Sequence, residues 1–256
     1  MPMQIVTIPC LADNYAYLLH DADTGDTALV DAPQAAPILE ALRGRDWQLG
    51  HVLLTHHHWD HVDALPEILA AHPDARVVGA AADAHRLPPL DTPVHEGDTV
   101  TIGREAGNVI DVSGHTVGHI AFHFPDSKLA FTADSLMALG CGRLFEGTPE
   151  QMWNSLSKLA ALPGDTLICS GHEYTANNAR FARTVDPDNA ALSDRAAQVD
   201  AARAAGQATV PSRLSEELAT NPFLRAGDPD LQASIGMDGA DPVAVFAELR
   251  RRKDAF

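Results

Sequence analysis

The N-terminal part of the chain, up to about Gly171, alternates short apolar runs with polar turns. The runs are rich in Val, Ile and Leu and are bounded by Gly, Pro, Asn and Asp, a pattern that predicts β-strands. Helical spacing predicts helices between them, over residues 35–42 and 65–71. The predicted strands cover residues 4–8, 15–19, 27–31, 51–55, 76–79, 99–102, 109–112, 120–124, 128–132 and 166–169.

A stronger helix signal opens at Thr148. Thr148 suits the N-cap, Pro149 suits the first helical position, and Gln151 completes a capping box. Apolar residues at positions 152, 156 and 159 then fall on one face at helical spacing. We therefore expect an amphipathic helix that packs against the strand-rich part of the chain.

After His172 the pattern becomes helical. No strand is predicted from residue 176 onward, and Ala-rich helices are predicted over 177–184, 191–205, 213–219 and 243–252. Asp241 and Pro242 open the last of them. The sequence thus predicts an α/β body over residues 1–175 followed by an all-helical domain over 176–256.

Composition and charge limit the classes of molecule that this protein can bind. The formal net charge of −17 disfavours nucleic acid, so a small-molecule substrate is expected. The start of the chain lacks a signal-peptide pattern and no apolar run approaches membrane-spanning length, so we expect a cytoplasmic, monomeric protein without a membrane partner. Cys10, Cys141 and Cys169 are too scattered for a disulfide framework and are predicted to be buried thiols.

The segment 56–61 is the most informative part of the sequence. An apolar strand leads directly into four histidines and one aspartate within six positions, and these are ligands that zinc and similar ions prefer. His56 and His58 project to the same side of an extended turn and can share one ion. Asp60 and His61 can then face a second ion.

Three further strands end in a small residue followed by a His or Asp. These ends are at residues 113–119, 130–134 and 168–173, and they offer His115 or His119, Asp134 and His172 as additional ligands. Because several strand ends can deliver side chains to one edge of a sheet, the four segments together predict a metal site. The residues alone leave the choice between His115 and His119 open.

These segments resemble the metallo-β-lactamase superfamily, and specifically glyoxalase II, the hydroxyacylglutathione hydrolases. The resemblance rests on the segments 55–61 and 114–119, on Asp134 and on 171–175, and it extends through the tail at 185–191, 221–223 and 250–254. It implies a four-layer αββα sandwich as the catalytic domain over residues 1–175, followed by a helical, substrate-binding domain over 176–256. It also implies an enzyme of methylglyoxal detoxification that hydrolyses S-D-lactoylglutathione to D-lactate and glutathione.

The resemblance also implies a ligand set. His56, His58 and His115 would hold one ion, Asp60, His61 and His172 would hold the other, and Asp134 would bridge both. Two divalent ions per chain are expected, with zinc preferred and iron or manganese equally compatible with His and Asp ligands. The expected nucleophile is a hydroxide that bridges the two ions, which makes Asp60 and Asp134 catalytic residues as well as ligands.

Substrate-binding residues follow from the same resemblance. Arg250 and Lys253, three apart on a helix, match the family's glutathione-binding pair, although basic residues also complement a helix C-terminus. Tyr174 matches another substrate contact. Arg143 stands where the family usually has Lys, and Phe145 where it often has Tyr, so one hydroxyl contact to glutathione is expected to be missing.

Two alternatives stay open at this point. A persulfide dioxygenase on the same scaffold would use a single iron and leave some of these ligands idle. A metal-binding protein without catalytic activity would hold zinc and hydrolyse no thioester. His57, His119 and His123 are expected to be structural or to support the ligands, and Asp31 either orients a ligand or caps a turn.

Overall fold

The computed structural model describes residues 3–256; Met1 and Pro2, with which the predicted catalytic domain begins, lie outside the described residues. The chain divides into two compact units. Unit 1 runs up to Asp111 and also contains Val117–Thr132, and unit 2 consists of Val112–Thr116 and Ala133–Phe256. This division crosses the predicted catalytic domain, and the predicted boundary between residues 175 and 176 stays a prediction.

The first sheet of unit 1 has six strands in sequence order. The first three strands pair antiparallel and the last four pair parallel. Parallel strands need crossover connections, and the α-helices of this unit lie between its third and fifth strands in the sequence. The elements are β1 (Gln4–Cys10), β2 (Asn14–His20), β3 (Thr27–Val30), α1 (Ala35–Arg43), β4 (His51–Leu53), α2 (Trp59–Val62), α3 (Leu65–Ala71), β5 (Arg76–Ala80), a 3₁₀ helix (Ala81–Asp83) and β6 (Thr92–Val94).

Four further strands of unit 1 form an antiparallel arrangement. They are β7 (Thr99–Ile102), β8 (Glu105–Asp111), β9 (Ile120–Phe124) and β10 (Leu129–Ala133), each paired with the next. All residues of β9 and β10 are buried. Such strands read as continuous apolar runs, which explains why the sequence pattern locates both of them.

The core of unit 1 lies between α1, α3 and the first sheet. Ile38 and Leu42 of α1 and Ile68 of α3 pack with Leu18 and Val52 of the strands, and all five side chains are almost fully buried. Ile38 and Leu42 are four positions apart and therefore lie on the same face of α1, as expected for an amphipathic helix that packs on a sheet. The packed helices support the segment that connects β4 to α2.

Unit 2 contains most of the helices. Its elements are β11 (Leu136–Met137), β12 (Gly140–Cys141), α4 (Pro149–Ala160), β13 (Leu167–Ser170), α5 (Thr175–Val185), α6 (Ala190–Ala204), β14 (Ser212–Arg213), α7 (Leu214–Thr220), α8 (Pro229–Ser234) and α9 (Pro242–Asp254). The tail is therefore helical except for the two-residue strand β14, which pairs with β13 and which the sequence pattern did not predict. Two residues are too few to show a periodicity.

The local signals for helix starts are confirmed. Thr148 accepts a hydrogen bond from the backbone N–H of Gln151, and the Gln151 side chain accepts one from the N–H of Thr148. Asp241 caps α9 by accepting a hydrogen bond from the N–H of Val243. Each cap satisfies donors that the first helical turn leaves without partners.

All ten predicted strands are present, although β8 begins at Glu105 rather than at residue 109. The elements that were not predicted are short: β6, β11, β12, β14, α2, α8 and the 3₁₀ helix. Within residues 3–256, no helix has the length and apolar character that a membrane crossing requires.

Candidate metal centre

The first donors of unit 1 lie just after β4. Leu54, Thr55 and His56 are fully buried, so the backbone enters the ligand segment from inside the core. Nε2 of His56 lies 3.2 Å from Nδ1 of His58, and the two rings are steeply inclined to each other. The sequence expectation that these two histidines project to the same side is confirmed, and their nitrogens converge as two ligands of one ion would.

Asp31 fixes the orientation of two ligand candidates. It lies at the end of β3 with a φ of 58°, and one of its carboxylate oxygens accepts hydrogen bonds from Nδ1 of His61 and from the hydroxyl of Thr55, both at 2.8 Å. Since the Thr55 hydroxyl donates to Asp31, it accepts from Nδ1 of His56 at 3.0 Å. Both histidines are therefore held in the tautomer that has its lone pair on Nε2.

The backbone at Asp31 supports this role. The left-handed region is unfavourable for residues other than glycine and is tolerated best by Asn and Asp. Asp31 is also almost fully buried, and its other carboxylate oxygen accepts from the N–H of Thr55 at 2.9 Å. Of the two roles left open for Asp31, orientation of a ligand is therefore the one that its contacts fulfil.

Asn14 holds Asp60. The side-chain amide of Asn14, at the start of β2, donates to both the carbonyl oxygen and Oδ2 of Asp60, each at 3.1 Å. An amide that binds one carboxylate oxygen directs the other oxygen away from itself. The sequence analysis did not identify Asn14, because a lone Asn after a turn is ordinary in a strand connection.

Three histidines that were not predicted as ligands, His57, His119 and His123, have other surroundings. Nδ1 of His57 donates to Asp83 at 2.8 Å. His119 stacks on His56 with ring centroids 4.6 Å apart, and its Nδ1 faces its neighbour's carbonyl oxygen. Burial lowers the pKa of His123, which favours its neutral form. These contacts agree with the expectation that the three residues support the ligands or the core.

In unit 2, Asp134 lies between two histidines. Its Oδ2 is 3.4 Å from Nε2 of His115 and 3.3 Å from Nε2 of His172. All three side chains are buried. The preceding residue, Ala133, has a φ of 40°, a conformation that costs free energy for any residue with a Cβ and is typical of functional sites.

His115 is held from behind in the same way as His61. Its Nδ1 donates to the carbonyl oxygen of Arg143 at 2.8 Å, so its lone pair is on Nε2, which faces Asp134. Gly142 makes this arrangement possible, because a Cβ at Gly142 would overlap the carbonyl oxygen of Asp134 and would lie 3.0 Å from Nδ1 of His115. The structure thus favours His115 over His119 as the donor that accompanies Asp134.

The predicted substrate-binding cations Arg143, Arg250 and Lys253 form one group with Arg180, which the sequence analysis did not identify; we call these four residues the basic cluster. Arg250 is only 6% exposed. Its guanidinium donates to the carbonyl oxygen of Cys141 at 3.0 Å and to Oδ1 of Asp254, and it lies over the Phe223 ring. Arg143 reaches the same oxygen of Asp254 at 3.3 Å. Complementing a helix end does not require such burial.

Lys253 is destabilised as a cation. Burial and the nearby charges of Arg250 and Arg180 lower its pKa from 10.5 to about 8. Its ammonium group donates to the carbonyl oxygen of Asn177 at 3.2 Å and lies over the ring of Phe181. Several cations confined around one carboxylate repel one another, and an added anion would relieve that repulsion.

Two aromatic side chains lie against donors of unit 2. Tyr174 stacks on His172 with nearly parallel rings, 4.6 Å between centroids. Phe145 contacts His115 edge to face at 5.3 Å and is 60% exposed. A large apolar ring that is exposed beside a metal-ligand candidate is suited to contact with a substrate.

The donor chemistry fits divalent metal ions. All seven predicted ligands belong to groups of three His or Asp side chains that could hold an ion, and within residues 3–256 none of these groups includes His57, His119 or His123. Imidazole and carboxylate donors are those of zinc, iron and manganese sites. The cysteines take no part, since all three are buried free thiols.

Known proteins resemble both parts of the chain. Residues 13–172 match the model of the metallo-β-lactamase superfamily, and residues 173–256 match the model of the hydroxyacylglutathione hydrolase C-terminus. A structure described as ETHE1 from Myxococcus xanthus is 24% identical, with a TM-score of 0.67, and covers 100% of this chain and 99% of its own. The BLEG-1 B3 metallo-β-lactamase is 20% identical, with a TM-score of 0.67, and covers 86% and 99%. These structures show the fold and confirm the predicted fold class.

The curated relatives are much more similar. A protein of Ruegeria pomeroyi named hydroxyacylglutathione hydrolase is 68% identical over 100% of both chains. A protein of the same name from Cereibacter sphaeroides is 64% identical, again over 100% of both. The similarity therefore extends over the whole chain, the strand-rich part and the helical tail together. This chain belongs to the hydroxyacylglutathione hydrolase family of the metallo-β-lactamase superfamily.

Proposed function

We propose that this protein is a thioester hydrolase that converts S-D-lactoylglutathione and water to D-lactate and glutathione. The observation that carries the proposal is full-length similarity, at 68% identity, to a relative named hydroxyacylglutathione hydrolase. Two features of the molecule support it independently: oriented His and Asp donors, and a cluster of cations suited to an anionic substrate. The product pair accounts for a step in methylglyoxal detoxification.

For the metal site we propose two divalent ions, with zinc as the resident metal. His56, His58 and His115 would hold one ion, Asp60, His61 and His172 the other, and Asp134 both. The convergence of His56 and His58 supports the first set, and the position of Asp134 between two imidazole nitrogens supports its bridging role. When bound, such ions supply an activated water at neutral pH and polarise a carbonyl group.

The chain's own residues orient these donors and hold a proton on Nδ1 of each oriented histidine. Asp31 sets the tautomers of His56 and His61, and the carbonyl oxygen of Arg143 sets that of His115. A fixed tautomer presents a lone pair without a reorganisation step, which raises the affinity of the site. A thiol with a pKa of about 8.5 leaves readily as thiolate, so the reaction needs no strong general acid.

The basic cluster would bind glutathione. Glutathione carries two carboxylates, and Arg250 and Lys253, with Arg143 nearby, provide a local concentration of positive charge in a chain whose formal net charge is −17. Tyr174, stacked on the ligand candidate His172, would contact the substrate beside the metal donors of unit 2. Phe145 offers its ring where a tyrosine would also offer a hydroxyl.

The deciding experiment combines metal analysis with assays on the same preparation. We expect about two zinc ions per chain, rapid hydrolysis of S-D-lactoylglutathione, loss of activity on chelation and recovery on addition of zinc. A small thioester without glutathione serves as the matched substrate and should be hydrolysed with a much higher KM. One iron per chain with oxygen uptake would indicate a persulfide dioxygenase instead. Tight zinc binding with no hydrolysis of any thioester would indicate a non-catalytic metal-binding protein.

We also propose that the protein works in the cytoplasm as a monomer. Three buried thiols suit a reducing compartment, where disulfides do not form. Burial raises the pKa of Cys10 and of Cys141 to about 11, so both are protected from oxidation as neutral thiols. Sedimentation equilibrium would test the monomer: a mass near 27.3 kDa is expected, and twice that mass would contradict it.

A further inference from the structure

Asp83 is a fully buried carboxylate that the reaction described above does not use. Asp83 is the last residue of the 3₁₀ helix that follows β5. Strand β5 pairs with β4, and β4 leads into the ligand segment 56–61. A buried charge is costly unless it is paired and hydrogen-bonded. The hydrogen-bond partners of Asp83 therefore indicate its role.

Asp83 joins two segments of unit 1. One oxygen accepts from Nδ1 of His57 at 2.8 Å, and the other accepts from Nε of Arg86 at 2.5 Å. The Arg86 guanidinium also donates to the carbonyl oxygen of Val117 at 2.7 Å. Gly118, with a φ of 92°, packs so closely that a Cβ there would lie 2.9 Å from the Cβ of Asp83.

His57 is the middle residue of three consecutive histidines. Its neighbours His56 and His58 converge with their ring nitrogens, whereas His57 turns towards Asp83. Since a carboxylate only accepts hydrogen bonds, His57 carries its proton on Nδ1. That bond fixes the ring and, with it, the backbone between the two converging histidines.

We propose that Asp83 is a positioning residue for the metal site, which acts by holding His57 away from the ion and thereby fixing the spacing of His56 and His58. The inference rests on the metal-binding part of the proposed function and is independent of the identity of the substrate. Arg86 pairs with Asp83 and also donates to the carbonyl oxygen of Val117, so the Asp83 carboxylate is held in place.

The test is Zn²⁺ affinity, measured on the full chain by competition with a chromophoric chelator. In Asp83→Asn and Asp83→Ala we expect affinity to fall by roughly 10- to 100-fold, as for other residues that orient ligands. The matched control is Asp21→Asn. Asp21 is a buried carboxylate of the same unit that pairs with Arg104, and its contacts involve no ligand-bearing segment. Its loss should lower the melting temperature and leave Zn²⁺ affinity unchanged.

A second variant separates positioning from folding. His57→Ala removes the group through which Asp83 acts, so adding Asp83→Asn to it should cost much less affinity than Asp83→Asn costs in the parent chain. Additive losses, or an Asp83→Asn affinity within twofold of the parent, would overturn the inference while leaving the hydrolase proposal intact. Failure of the parent chain to bind Zn²⁺ would overturn both. Retained Zn²⁺ affinity in the parent with no glutathione thioesterase activity would overturn only the substrate assignment.

Discussion

The ligand segment of unit 1 and the basic cluster of unit 2 differ in how their charges and donors are held. In residues 56–61, each donor has a partner that sets its direction: Asp31, Asn14 or a neighbouring side chain. In the basic cluster, Arg143 and Arg250 share one oxygen of the Asp254 carboxylate, and burial and the nearby charges of Arg250 and Arg180 lower the pKa of Lys253. The first region is organised before any ligand binds. In the basic cluster, neighbouring cations repel one another, and a bound anion would reduce that repulsion.

This difference predicts different kinetic effects. A preorganised donor acts on the reacting group, so its loss lowers kcat. A cation that grips a remote part of the substrate contributes equally in the ground state and the transition state, so its loss raises KM. The variants below are arranged from the largest expected effect to the smallest, and each tests one side of this contrast.

The largest effect is expected at Asp134. Asp134→Ala removes the carboxylate that lies between His115 and His172, so we expect turnover to be abolished and metal retention to fall. Metal content after dialysis and kcat are the measurements. Asp188→Ala, an exposed carboxylate of the same unit, is the control and should behave as the parent chain. Near-normal activity in Asp134→Ala would remove this residue from the site.

The basic cluster should show the opposite pattern. A charge-assisted hydrogen bond is worth roughly 1.5–3 kcal/mol, so Lys253→Ala should raise KM for S-D-lactoylglutathione about tenfold or more, with little change in kcat. Arg250→Ala should raise KM similarly and should also lower the melting temperature, because the buried Arg250 donates to the carbonyl oxygen of Cys141. A small thioester without glutathione should show neither KM change. Equal changes for both substrates would defeat the glutathione assignment.

The pKa of Lys253 sets a pH dependence. As pH rises through about 8, the folded protein loses the Lys253 charge, so KM for the glutathione thioester should rise. Over the interval from about 8 to 10.5 the unfolded chain binds more protons at this residue than the folded one, so its contribution to the free energy of unfolding increases with pH. Lys253→Arg stays charged and should give a flatter KM profile. The same KM rise in Lys253→Arg would assign the effect to another group.

The smallest effect is expected at Phe145, which lacks the hydroxyl that a tyrosine at this position would offer to the substrate. Phe145→Tyr adds a hydroxyl to an exposed ring beside His115, and a neutral hydrogen bond is worth roughly 0.5–1.5 kcal/mol. We expect KM for the glutathione thioester to fall about two- to tenfold, with kcat and the small-thioester KM unchanged. An unchanged or higher KM would show that the ring alone is what this position contributes.

Sequence patterns predicted the features that depend on neighbouring residues. The buried strands β9 and β10 show as apolar runs, the capping box of α4 spans three positions, and residues 56–61 collect their donors within one turn. Short strands such as β6 and β14 were not predicted, because they form through pairing with a neighbouring strand and their own residues show no strand pattern.

The sequence by itself determined the ligand types, the strand-end positions that carry them and, through the family resemblance, the reaction class. Only the tertiary structure decided which residues orient those ligands. Asp31 lies 24 positions from Thr55, Asp83 lies 26 positions from His57, and Asn14 lies 46 positions from Asp60. Hydrogen bonds across such separations form only when β-strands bring the segments together, and nothing in the local pattern of an Asp or Asn distinguishes that role from a turn or a helix cap.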